Sequence, residues 1–268
     1  MSHILSLAAG TLPEFPPDQV AHAAGQAGFS HVGFTIEPEQ WNRQQIKATK
    51  AALAQHDLSV LDVEVVWIPE GGKLTDNHRL VIDAGIELGA PNVLVVSSEP
   101  DPDRTAAALH QLCEWSAPSN MRVSLEFLMI TAVQSLDDAR DIVKRCDHTA
   151  AAVLVDSLHF QRAGHSPADL NALDRNLLSY SQICDGNLQC ADDFDSYLDD
   201  AVDLRSVPGE GELPLVDIMS ALPSTIPLSL EVRSKAYRDN YPDPVERAKK
   251  VRTAAMDYFD RHNITIAQ

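Results

Sequence analysis

Short runs dense in Val, Leu and Ile alternate along the chain with longer stretches whose apolar residues recur every three or four positions. The first pattern reads as a strand buried on both faces, the second as an amphipathic helix. Eight runs fit the strand reading: 4–8, 31–36, 58–67, 92–96, 122–127, 151–156, 177–183 and 227–232. Between them the pattern predicts helices entered at Pro17 and ending at Ala27, then over 38–56, 75–88, 101–118, 136–146, 167–173, 215–221 and 244–262. Gly28 and Gly89 stand where a helix C-terminus favours glycine, and Asp101-Pro102-Asp103 has the proline and acids of a helix start. The longest stretch without a pattern runs from 185 to 214.

Eight strands, each followed by helical pattern, place the chain in the α/β class and predict a single (β/α)8 TIM barrel over residues 1–268. The competing architecture is an open doubly wound sheet, which carries a glycine-rich phosphate loop after its first strand. Ala8-Ala9-Gly10-Thr11 is not such a loop, and no Walker motif is present. A length of 268 residues suits one barrel, which takes ~250 residues.

Four of the strand runs break their apolar character in the same way. Val123-Ser124-Leu125-Glu126-Phe127, Val153-Leu154-Val155-Asp156, Ser179-Tyr180-Ser181-Gln182-Ile183 and Leu228-Ser229-Leu230-Glu231-Val232 each carry a carboxylate or amide near the end. Burying such a group without a partner costs several kcal/mol, on the order of 2–7 for an amide or hydroxyl and more for a charge. In a barrel these four residues sit on consecutive strands at the C-terminal end, where active sites lie. Taken singly, Asp156 could cap a turn and Gln182 could be a core amide. Taken together, they point to a shared divalent cation. Three carboxylates and an amide oxygen form a hard, all-oxygen set, which suits Mn²⁺ or Mg²⁺ better than Zn²⁺.

Charge and cysteine content narrow the classes. There are 21 basic against 39 acidic residues, a net charge of −18, and no basic cluster longer than Lys249-Lys250, so nucleic acid is excluded as a partner. Cys113, Cys146, Cys184 and Cys190 form no CxxC pair, as expected of reduced thiols in a cytoplasmic protein. No signal peptide is indicated, and no apolar segment approaches the ~20 residues that span a bilayer.

The Leu-Glu ending the fifth strand, Asp156-Ser157-Leu158-His159, and the Leu-Glu-Val ending the eighth resemble the xylose isomerase-like TIM-barrel superfamily of sugar-phosphate isomerases and epimerases. Strand order and length extend the resemblance over essentially the whole chain. Arg205-Ser206-Val207-Pro208-Gly209-Glu210-Gly211-Glu212 resembles the family's R…PGxGE segment. The resemblance implies that Glu126, Asp156, Gln182 and Glu231 hold one divalent cation, and that Glu126 and Glu231 also transfer protons. The family commonly has His on the seventh strand. Gln182 there is similar to hydroxypyruvate isomerases and 3-dehydroshikimate dehydratases, a departure from ketose 3-epimerases. The ten histidines lack the multi-His set of a trinuclear zinc nuclease.

The expected activity is that of a metal-dependent isomerase or epimerase of a sugar or sugar-like hydroxy-ketone. Proton abstraction beside a carbonyl would give an enediolate stabilised by the cation. A dehydratase of the 3-dehydroshikimate type uses the same residues and is the alternative; a non-catalytic ligand-binding barrel is the second. His159 is expected to bind substrate or shuttle a proton, against an ordinary loop histidine. Arg233 either anchors a substrate carboxylate, hydroxyl or phosphate, or pairs with a ligand carboxylate. Arg205 closes over substrate or is solvated in its loop, and Glu64 with Trp67 lines the pocket. The partner is a small sugar or keto acid, and homo-oligomers are common among such barrels.

Overall fold

The computed structural model of the chain describes residues 2–191 and 193–267. Eight parallel strands close in sequence order into a barrel: β1 (Leu5–Leu7), β2 (His31–Thr35), β3 (Ser59–Ile68), β4 (Asn92–Ser97), β5 (Arg122–Glu126), β6 (Ala151–Asp156), β7 (Leu178–Ile183) and β8 (Leu228–Leu230). The register closes through Leu5 against Leu228 and Leu7 against Leu230. The predicted single (β/α)8 barrel is therefore the observed fold.

Alternation on the pleat sorts the side chains. Val123 and Leu125 of β5 belong to the large apolar layer between strands and helices, which is the main core. Residues of opposite parity point into the barrel, where Leu61, Leu94, Val96, Leu154 and Tyr180 form a second, smaller cluster. The same inward parity carries Glu126 above Ser124, Asp156 above Leu154, and Gln182 above Tyr180. Strand β8 stops at Leu230, short of the expected 232, but the amide of Glu231 still donates to the carbonyl of Ile183 at 3.1 Å.

The outer ring comprises α1 (Pro17–Ala27), α2 (Arg43–His56), α3 (Asp76–Leu88), α4 (Pro102–Ser116), α5 (Leu136–Cys146), α6 (Ser157–Arg162), α7 (Pro167–Ala172), α8 (Phe194–Val202), α9 (Leu215–Ala221), α10 (Lys235–Asn240) and α11 (Pro244–Arg261). Three departures from expectation have local causes. Helix α2 begins at Arg43 rather than near 38, because Asn42 Oδ1 accepts from the amides of Gln44 and Gln45 and so caps it there. Helix α6 starts directly after β6, with Asp156 as its cap. Helix α8 lies inside the stretch expected to be irregular, capped by Asp193 accepting from the amide of Ser196 at 2.9 Å. Among the described residues, no helix is long and apolar enough to cross a membrane.

Candidate metal centre at the mouth of the barrel

Glu126, Asp156, Gln182 and Glu231 converge at the C-terminal end of the barrel, each buried to 7% exposure or less. One end of the Gln182 carboxamide lies 3.2 Å from Glu126 Oε1 and 3.3 Å from Glu231 Oε2. With nitrogen there, the amide donates to both carboxylates. With oxygen there, three oxygens face one another at the spacing of neighbouring ligands on one small cation. This arrangement fits the expected oxygen donor set.

Asp156 divides its two oxygens between two tasks. Oδ1 accepts from the amides of Leu158 (2.7 Å) and His159 (3.1 Å) at the start of α6. Oδ2 faces the site and accepts from Arg205 Nη1 at 2.7 Å. The same Nη1 lies 3.0 Å from Glu231 Oε2. Arg205 is 3% exposed, so the expectation of an arginine solvated in its loop is corrected, while it does line the cavity above the cluster. Short bridges hold it inside: Asp185 pairs with Ser206, Leu204 pairs with Ser234, and the Arg205 amide donates to the carbonyl of Arg233. Its Nε donates to the carbonyl of Ala201 at 2.7 Å. Three carboxylates and one guanidinium leave two formal negative charges, which one divalent cation neutralises.

Proton affinities follow from these partners. Burial pushes Glu126 well above the usual carboxylate range, and Asp156 and Glu231 add to the rise. Burial also lifts Glu231, against the pull of Arg205, to about 7. Asp156 is pushed up by burial too, but Arg205, His159 and the helix amides bring it below its ordinary value. Among the described residues Glu126 has no ion pair, so it is the carboxyl with most to gain from a cation.

His159 is 2% exposed, with Nδ1 2.6 Å from the Tyr197 hydroxyl and Nε2 3.2 Å from Arg205 Nη2. A guanidinium only donates, so Nε2 accepts and the ring proton sits on Nδ1. Burial lowers its pKa to about 4, leaving the imidazole neutral. In this geometry His159 accepts from Arg205 and lines the cavity above the cluster. His159, Glu126 and Asp156 nevertheless offer potential ligand atoms all within 4.8 Å of one another. Both ring nitrogens of His159 already have partners, as do both oxygens of Asp156.

The remaining expected residues line one cavity of about 180 Å³ above the cluster: Glu64, Trp67 and Arg233, beside Glu126, His159, Arg205 and Glu231. Thr35 donates to Glu64 Oε1 at 3.0 Å, and burial raises the Glu64 pKa. The Trp67 indole N–H donates to Ser98 Oγ at 2.7 Å, so the ring itself faces the cavity as the available surface. Arg233 has no ion pair among the described residues, and its buried Nε lacks a partner. Its pairing with a ligand carboxylate, left open by the sequence, is not made.

Three supports were not read from the sequence. A Cβ on Gly10 would lie 2.4 Å from Glu231 Oε1, so glycine is needed for that carboxylate to reach the site. Thr11 donates to the carbonyl of Leu230 and accepts from the amide of Val232, fixing the strand end on either side of Glu231. Asp185 accepts from the amides of Gly186, Gly209 and Leu213, each at 2.9 Å, and thereby pins the PGEGE segment. The Ala8-Ala9-Gly10-Thr11 signal was present but read only as the absence of a phosphate loop.

This barrel, with three carboxylates and an amide at the ends of its last four strands, agrees with what comparison finds. The family described as xylose isomerase-like TIM barrel matches residues 21–254, and the chain belongs to that family. No curated protein matches. Among solved structures, the zinc-bound IOLI protein superposes with a TM-score of 0.80 at 17% identity, covering 96% of this chain and 98% of that one. A xylose isomerase-like TIM barrel/4-hydroxyphenylpyruvate dioxygenase fusion protein gives 0.78 at 19% identity, covering all of this chain but 45% of its own. D-Psicose 3-epimerase from Clostridium cellulolyticum H10, solved with D-tagatose, gives 0.71 at 12% identity, covering 98% and 99%. At such identities the likeness is one of fold.

Proposed function

We propose that the protein is a divalent-metal-dependent isomerase or epimerase of a small hydroxy-ketone, working by proton transfer beside a carbonyl. The observation that carries this reading is the meeting of Glu126 and Glu231 with the Gln182 carboxamide, 3.2 and 3.3 Å away, over Asp156 at the barrel mouth. A cation held by Glu126, Asp156, Gln182 and Glu231 supplies Lewis-acid polarisation of a substrate oxygen. Mn²⁺ or Mg²⁺ suits these donors, although the related IOLI structure holds zinc.

Glu126 and Glu231 lie on either side of Gln182 and differ in proton affinity, the condition for an acid and a base in one site. One removes the proton beside the carbonyl; the other returns it to the neighbouring carbon or the opposite face. Arg205 fixes the Glu231 carboxylate, His159 fixes Arg205, and Arg233 supplies a free cation for a substrate anion or hydroxyl. The apolar cavity wall excludes water around the exchanging proton. The family's epimerases, such as the D-psicose 3-epimerase, support this class of chemistry. Unpaired thiols at all four cysteines support a reducing compartment such as the cytoplasm.

Gln182 favours one second reading, a dehydratase in which the same deprotonated carbon expels a β-hydroxyl. Incubation of Mn²⁺-loaded protein with hydroxy-ketones and 3-dehydroshikimate in D₂O separates the two. Deuterium in recovered substrate or its isomer is the expected result; growth of a conjugated, UV-absorbing product replaces isomerase with lyase. Neither event with any substrate removes the enzymatic reading.

A further inference from the structure

Two residues that line the cavity above the cluster each carry a buried polar atom with no partner among the described residues. The two atoms are of opposite kind: Glu64 Oε2 is an acceptor and Arg233 Nε a donor. The other Glu64 oxygen accepts from the Thr35 hydroxyl at 3.0 Å, which fixes how the carboxylate lies. Glu64 is on β3, and in a closed ring of eight strands β3 stands across the mouth from β7, the strand of Gln182. Arg233 follows Glu231 by two positions, and its carbonyl accepts from the Arg205 amide at 3.2 Å, which holds its backbone. Among the described residues no ion pair joins Arg233 to Glu64, yet the guanidinium is near enough to favour the charged carboxylate. Donor and acceptor line one cavity without meeting each other.

A hydroxyl satisfies both, because it donates one hydrogen bond and accepts others. A carboxylate or a phosphate satisfies Arg233 but offers Glu64 only like charge, and a methyl group satisfies neither. Charge balance points the same way. The three ligand carboxylates, Arg205 and one divalent cation sum to zero, and so do Glu64 and Arg233. No positive charge is left over in the cavity for an anionic substituent. Its volume of about 180 Å³ lies below the ~300–1,000 Å³ usual for small-molecule sites, which leaves little room for a phosphate. Val65, Leu94, Val96 and Leu128 supply the apolar wall, so the few polar groups set a ligand's orientation.

We infer that Glu64 and Arg233 together select the substrate, binding a hydroxyl at the end remote from the reacting carbonyl, so that an uncharged polyhydroxy ketone is accepted and its terminal phosphate ester or acid is rejected. This rests on the proposed function for the position of the carbonyl, at Glu126 and Glu231. The remote hydroxyl donates to Glu64 and accepts from Arg233, and the chain between spans the mouth of the barrel.

The test is calorimetric titration of Mn²⁺-loaded protein with fructose, psicose, ribulose and xylulose, each beside its terminal phosphate ester and its terminal deoxy analogue. The tightest free ketose should bind roughly tenfold or more tightly than its ester and than its deoxy analogue. Glu64→Gln puts a donor where the acceptor was. It should weaken that ketose by about threefold or more, strengthen its ester and leave the deoxy analogue unchanged. Arg233→Met should weaken ketose and ester together and again spare the deoxy analogue. An ester that binds wild-type protein more tightly than its ketose overturns the inference. So does a Glu64→Gln variant that weakens all three ligands alike, or the absence of binding by every ketose. Solvent deuterium exchange separates this claim from the proposed function. If the preference and its change in Glu64→Gln hold while no ketose exchanges deuterium, proton transfer fails and hydroxyl recognition stands. If an ester exchanges with a kcat/KM equal to or above that of its ketose, hydroxyl recognition fails and proton transfer stands.

Discussion

Asp156 and Asp62 are both fully buried inside the barrel, Asp156 on β6 at its mouth and Asp62 on β3 one layer below Glu64. Asp156 accepts from two helix amides and Arg205, and its pKa falls below the ordinary value. Neither Asp62 oxygen has a partner, and burial, with Glu64 and Glu231 adding, pushes its pKa well above the usual range. Each layer has a glycine that makes room: a Cβ on Gly10 would meet Glu231, and one on Gly33 would lie 2.7 Å from Asp62 Oδ1. Ser6, Tyr180 and Ser229 have buried hydroxyls without partners too. At the mouth Arg205 favours the charged form of Asp156, while in the lower layer burial without a partner among the described residues favours the protonated form of Asp62.

The largest test of that contrast removes the resident cation. Arg205→Met leaves Asp156 and Glu231 buried without their ion pair, a loss of about 3–5 kcal/mol in metal-free protein. Urea denaturation measures it, and saturating Mn²⁺ should recover part of the loss. An unchanged midpoint would show that Arg205 is not the counter-ion.

Next in size is a pH effect. Glu231 titrates at about 7 in the folded protein, above its ordinary 4.5, so the folded state holds its proton more tightly than the unfolded chain. Its contribution is fully present below about pH 4.5 and is lost as pH rises through 7, on the order of 3 kcal/mol in all. Glu126 and Asp62, also raised, act in the same direction. Asp156, lowered, acts oppositely, and its contribution is lost only as pH falls below 3.8. Denaturation midpoints of metal-free protein should therefore fall between pH 4.5 and 8, and Mn²⁺ should flatten the curve. A metal-free midpoint that rises over this range contradicts the assignment.

The barrel was legible because its strands are buried on both faces and its helices on one, patterns written in neighbouring residues. The ligand candidates were legible for the same reason: Glu126 and Glu231 interrupt runs too apolar to lie outside. Arg205 was not, because its partner Asp156 lies 49 positions away and its neighbours are those of a polar loop. Helix α8 was hidden by its acidic surroundings, although Asp193 is an ordinary cap. Asp62 has no such signal, standing in an apolar strand run next to Val63 and Glu64. Its burial depends on Gly33, on another strand.

A smaller effect comes from Gly10→Ala. The added methyl meets Glu231 Oε1, which Arg205 restrains, so Mn²⁺ affinity should fall tenfold to about a hundredfold, the range typical of groups that orient metal ligands. Isothermal titration measures this, and unchanged affinity would mean that Glu231 reaches the metal by another route. Asp62→Asn should do least. A neutral carboxyl exchanged for a neutral amide should shift stability at pH 7 by about 1 kcal/mol or less. A loss as large as that of Arg205→Met would show Asp62 to be charged and paired, erasing the contrast between the layers.

The claim that the mouth is a divalent-cation site is tested most directly by Mn²⁺ titration followed by electron paramagnetic resonance. One ion per chain is expected, with binding weakened a hundredfold or more in Glu126→Gln and in Glu231→Gln but unchanged in Asp62→Asn. Absence of stoichiometric binding, or binding that survives both glutamate substitutions, would contradict it.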